Sequence, residues 1–142
     1  MRLIVSAAFL VLFSVMAAAS ECDDTIAAYN ATTDESAKIF DDYRTKREAV
    51  PMADYCTPAK LYCDEEQAQV EEQRKRLALS DRMFDVCRAG SVVQILSGKH
   101  VTKTQSHNQE QGALTKYIGS AATACSAATI KEACFGPQVG PF

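Results

Sequence analysis

The chain has 142 residues, with 15 basic and 18 acidic side chains, six cysteines and no tryptophan. Its net charge of −3 argues against general binding to nucleic acid or anionic membranes, which needs a concentrated basic surface. The length is that of one domain with a modest core.

The N-terminus has the three parts of a secretory signal peptide. Arg2 supplies the positive charge, Leu3 to Met16 form an apolar run, and Ala17, Ala18 and Ala19 supply small residues for cleavage. The expected organisation is a signal peptide over 1–19, one helical disulfide-rich domain over 20–136 and a loose tail over 137–142. The apolar run is short for a membrane span and is followed at once by Glu21, Asp23 and Asp24. No second apolar run follows, so a secreted, extracellular protein without membrane insertion is expected. Without Arg2 the mature chain keeps 14 basic against 18 acidic residues, a net charge of −4.

From Cys22 to about Arg47, apolar and small residues recur at helical spacing: Cys22, Ile26, Tyr29, Thr33, Ile39, Phe40 and Tyr43. Asp34 with Lys38, and Asp42 with Lys46, are acid-before-base pairs four apart, as on an exposed helix face. Asn30-Ala31-Thr32 is a glycosylation sequon. Thr32 and Glu35 have capping-box spacing, so the segment reads as one helix or as two that break near the sequon. Val50-Pro51 ends it, because proline disfavours helical backbone in the residue before it.

The stretch from Tyr55 to Cys87 reads as the central helix. Thr57 is the expected N-cap and Pro58 the first helical residue. Cys63, Val70 and Leu77 form the expected buried stripe, with Leu61, Tyr62 and Ala68 beside it. Glu71 with Lys75, and Glu72 with Arg76, read as surface pairs. Ser80 marks a new helix or a bend leading to Met83, Phe84, Val86 and Cys87. Val92, Val93, Ile95 and Leu96 are expected to be buried before Gly98 ends the run.

Residues 98–109 are polar and read as a loop. A last long helix then carries Leu114, Tyr117, Ile118, Ala121, Cys125 and Ala128 on one face. Thr129 with Glu132 suggests a short final helix. The fold class is therefore all-α, a small disulfide-stapled antiparallel bundle of three to five helices.

All six cysteines follow the leader, and an even count in a secreted chain reads as three disulfides. Antiparallel neighbours require one index to fall as the other rises. Cys56 with Cys134 and Cys63 with Cys125 meet that condition, and Cys22 at the far end of the first helix falls near Cys87. The layout resembles insect odorant-binding proteins in one interval, Cys125-x8-Cys134. The six residues between Cys56 and Cys63 and the twenty-three between Cys63 and Cys87 depart from that pattern. Saposin and elicitin spacings depart too, so the sequence is assigned to no family.

Catalytic chemistry has little to stand on. There is no GxSxG elbow, and a nucleophilic cysteine breaks the even count. Asp23-Asp24, Asp41-Asp42 and Glu71-Glu72 read as solvated helix faces. His100 and His107 lack neighbours at ligand spacing, so no metal or cofactor is expected. Lys99 and Lys103 lie in a stretch without carboxylates, too few for an anion site. Tyr29, Phe40, Tyr43, Tyr62, Phe84 and Tyr117 are candidates to line an inter-helical cavity. The leading functional expectation is a secreted, non-catalytic binding protein that engages a protein partner or receptor through its helical surface. The alternatives are a carrier of a small hydrophobic ligand and a small secreted hydrolase. Oligomeric state is left open.

Overall fold

The computed structural model describes residues 4–52, 54, 56–87, 92 and 102–130. Three helices account for nearly all of them: α1 over Ile4–Glu48, α2 over Cys56–Val86 and α3 over Lys103–Ile130. No strand occurs among the described residues.

α1 contains neither glycine nor proline along its 45 residues, so nothing in its backbone favours a break. It is continuous through the sequon. Thr32 is buried, and its hydroxyl donates to the Tyr29 carbonyl at 2.6 Å, so it bonds back into its own helix instead of capping a new one. Glu35, the other half of the expected box, pairs with Lys75 of α2. α1 closes through Ala49 N–H to Thr45 O and Val50 N–H to Arg47 O, just before Pro51.

The N-cap of α2 is Asp54 rather than Thr57. One Asp54 carboxylate oxygen accepts from the backbone N–H groups of Cys56 and Thr57, both at 3.0 Å. The other accepts from the Thr57 hydroxyl. These bonds, the Thr57 hydroxyl first among them, hold the Asp54 carboxyl below the usual range. A carboxylate satisfies two orphan donors where a hydroxyl reaches one. Pro58 stays within the first turn, where its missing N–H is harmless.

Residues 103–109 are helical, not a loop. Gln105 N–H donates to Thr102 Oγ1 at 3.2 Å and Thr102 N–H donates to Gln105 Oε1 at 3.0 Å, a reciprocal capping box. α2 likewise runs through Ser80 unbroken to Val86. Thr129 lies inside α3, while Glu132 and the expected short final helix lie outside the described residues.

α2 is the central element and packs along both α1 and α3. Cys22 of α1 is joined to Cys87 just past the end of α2, with Cα atoms 4.9 Å apart. Cys63 near the start of α2 is joined to Cys125 of α3, with Cα atoms 4.5 Å apart. Both neighbours therefore run antiparallel to α2, and the two staples sit at its opposite ends. Cys56 is also disulfide-bonded; Cys134, its partner in the sequence reading, lies outside the described residues.

The apolar core is split in two. Near the Cys22–Cys87 end, Tyr29, Met83 and Val92 are buried with Ile26, Leu79 and Phe84 around them. Towards the other end, Val70, Leu114 and Ala121 are buried with Leu77 and Tyr117 against them. Of the expected α2 stripe only Val70 is fully buried, and Glu65, Gln69, Gln73 and Ser80 fill the remaining inward turns. Val93, Ile95 and Leu96 lie outside the described residues. Among residues whose side chains are described, no helix is long and apolar enough to cross a membrane.

Candidate functional site

A buried polar cluster holds the middle of the bundle and draws one residue set from each helix. The Tyr29 hydroxyl of α1 donates to Glu110 Oε1 of α3 at 2.7 Å. Gln73 of α2 donates to Glu110 Oε2 at 2.7 Å. Arg76 Nε reaches both Glu110 oxygens at 3.2 Å, and its terminal nitrogens donate to the Tyr29 hydroxyl and to Thr33. The guanidinium also lies over the Tyr29 ring, 4.4 Å from its centroid. Burial, then the bond and charge of Glu110, push the Tyr29 phenol up to about 12.

Beyond this cluster the three helices enclose an open groove whose floor is α2 and whose walls are α1 and α3. It consists of two adjoining clefts of about 520 and 690 Å³ that share Phe40, Gln69 and Tyr117. The narrower reaches Arg76 and Glu72; the wider reaches Pro58, Tyr62 and Glu66. Phe40 and Tyr62 each leave 51 % of their surface in solvent. The floor is polar: Ser36 donates to Gln69 Oε1 at 2.6 Å, and Gln69 Nε2 returns a bond to the Ser36 carbonyl at 3.0 Å.

Charged side chains line these clefts in unequal states. Arg47 is bonded to Glu65 and lies 4.1 Å over the Tyr62 ring. Lys75 bridges Glu35 and, at 3.8 Å, Glu72. The Lys75 bond holds the Glu35 carboxyl low and the Lys75 ammonium high. Glu72 is pushed up by burial and by Glu35, and its Oε1 is buried without a hydrogen-bond partner.

The six aromatic candidates do not share one cavity. Tyr29 and Phe84 belong to the core at the Cys22–Cys87 end, since they sit where α1 and α2 are closest to their staple. Tyr43 is half-buried and covered by Lys46, 4.3 Å from its ring centroid. Phe40, Tyr62 and Tyr117 line the groove. Glu72 and Arg76, read as a surface pair, turn inward to other helices; the exposed pair on that face is Arg74 with Glu71, at 2.8 Å.

Asn30 is exposed on α1. It precedes Ala37 and Asp41, two groove residues, by seven and eleven positions, which places it on their helix face at the groove's α1 rim. Thr32, the third residue of the sequon, is buried and bonded to the Tyr29 carbonyl.

His107 is on α3, with Nδ1 3.0 Å from an Asp81 oxygen. Ser80 and Ser106, one residue earlier in each helix, meet buried at 2.7 Å. Both pairs lock the α2–α3 seam. His100 lies outside the described residues. Among the described residues no group of three or more His, Cys, Asp or Glu converges to hold a metal ion.

No protein-family model, no curated protein and no solved structure matches this chain.

Proposed function

We propose that the mature chain is a secreted, non-catalytic binding protein that receives a segment of a protein partner in the groove between α1 and α3. One observation carries this reading: aromatic side chains stand half in solvent along a groove whose supporting helices are cross-linked at both ends of α2. Exposed aromatics on a rigid frame are the usual anchors of protein interfaces.

A small hydrophobic ligand is the competing occupant, and cleft volume alone admits one. The floor favours the protein segment. Gln69, Gln73, Arg76 and Ser36 make the groove's lining polar, which penalises burial of an alkyl chain. Secretion rests on the N-terminal leader and on the cysteines being bonded, with no free thiol among the described residues.

Native mass spectrometry of the protein released by a eukaryotic host tests this directly. The expected species begins at Ser20, is six hydrogens lighter than the reduced chain, carries a glycan at Asn30 and holds no small ligand. A retained leader contradicts secretion. A lipid-sized excess mass lost on denaturation contradicts the protein-segment reading in favour of the carrier.

A further inference from the structure

Five charged side chains line the wider cleft: Arg44, Arg47, Glu48, Glu65 and Glu66. Four are matched within the chain. Arg47 is bonded to Glu65, and Arg44 lies 3.9 Å from Glu48 and 3.1 Å from Asp41. Glu66 is the fifth. It is half-buried, and among the described residues it has no hydrogen bond and no ion pair.

Such a position is unfavourable in isolation. Burial, with the Glu65 carboxylate beside it in sequence, pushes the Glu66 carboxyl above the usual range. Its oxygens keep contact with solvent and no side chain of the cleft donates to them, so the carboxylate is open to a donor from outside the chain.

The groups around it specify what completes the site. Phe40, Tyr62 and Tyr117 line the same cleft, and aromatic faces attract cations through their quadrupoles. The cleft already contains one such arrangement, in which the Arg47 cation lies over the Tyr62 ring and bonds to Glu65. Glu66, Phe40 and Tyr117 line the same cleft and offer a second carboxylate alongside aromatic rings. The mature chain's net charge of −4 also favours approach of a basic partner.

We infer that the groove recognises a lysine or arginine side chain of the partner, its charged end at Glu66 and its methylene stem against Phe40 and Tyr117. This rests on the groove being the partner site and adds the chemistry it selects. A basic residue flanked by apolar ones fits best, because the rings cover the stem while the carboxylate takes the charge.

The test uses the mature, disulfide-bonded protein and two probes, acetyl-leucyl-lysyl-leucine amide and its norleucine analogue, which keeps the stem and lacks the charge. The lysine peptide is expected to bind about tenfold more tightly, the worth of one desolvated cation contact. It is also expected to lower the pH at which the Glu66 carboxyl titrates by NMR. Glu66→Gln is expected to abolish the preference while leaving the melting temperature unchanged or higher. Equal binding of the two peptides, binding of neither, or a preference that survives Glu66→Gln overturns the inference. If a partner still cross-links inside the groove in those cases, only the cation chemistry fails and the groove reading stands.

Discussion

The Tyr29 hydroxyl and the Glu110 carboxylate, 81 positions apart in sequence, meet at 2.7 Å and join α1 directly to α3. Arg76 of α2 bonds to both, so one side chain from each helix fixes the bundle's register. Glu110→Gln leaves the Arg76 guanidinium, only partly exposed, without its counter-charge. We expect a loss of about 2–4 kcal/mol in urea denaturation. Tyr29→Phe removes hydrogen bonds but keeps the ring, for about 1–2 kcal/mol. A Glu110→Gln variant as stable as the parent contradicts this role.

The same cluster makes the protein sensitive to alkali. In the fold the Tyr29 phenol titrates near 12 against an ordinary 10.0, so the folded state holds its proton more tightly than the unfolded one. The associated stability is whole below pH 10 and is lost as pH rises from 10 towards 12. Lys75, held high by Glu35, contributes with the same sign. Denaturation midpoints are expected to fall over this window, and Tyr29→Phe is expected to flatten the decline without removing it. An unchanged decline in that variant contradicts the assignment.

The two staples carry different parts of the molecule. Cys63 and Cys125 enclose 62 positions and Cys22 and Cys87 enclose 65, each worth about 4 kcal/mol in the chain-entropy model. The core between them is thin and partly polar, so removing either is expected to reduce stability by about 2–4 kcal/mol. Cys63→Ala with Cys125→Ala is expected also to broaden the NMR signals of Tyr62 and Tyr117, because it releases the groove end of α3. Sharp, unshifted ring signals contradict the claim that this staple sets the groove.

The caps separate two readings of the α2 start. Asp54→Ala is expected to destabilise the protein by about 1 kcal/mol and Thr57→Ala by less, since Thr57 donates to Asp54. Thr102→Ala is expected to resemble Asp54→Ala. Thermal melts rank the three, and a larger effect at Thr57 reverses the cap assignment.

These caps also show what the sequence makes legible. The helical class and the antiparallel order follow from apolar periodicity and complementary cysteine positions, both of which survive in one dimension. The first turns of α3 were hidden because residues 103–109 carry no apolar stripe, yet the Thr102-x-x-Gln105 pattern was present and is a capping signal. Asp54 lost to Thr57 because Pro58 drew the start three residues inward. The polar interior was the least legible part. Arg76 has Glu72 four residues before it, which is the signature of a surface pair, but its partner is Glu110, 34 positions away. Glu65, Gln69 and Gln73 share one helix face, and three polar residues at that period read as solvated unless the opposing helix is known to supply their partners. The groove escaped for the same reason: Phe40, Tyr62 and Tyr117 come from three helices.

Position-specific photocross-linking tests the central claim most directly. Place p-benzoylphenylalanine at position 40 in the groove, or at position 71, an exposed site of α2 that lines neither cleft, and illuminate each in the medium into which the protein is released. The account predicts one protein adduct from position 40, none from position 71, and its loss on adding excess unlabelled protein. A small hydrophobic molecule attached at position 40, or the same adducts from both positions, contradicts it.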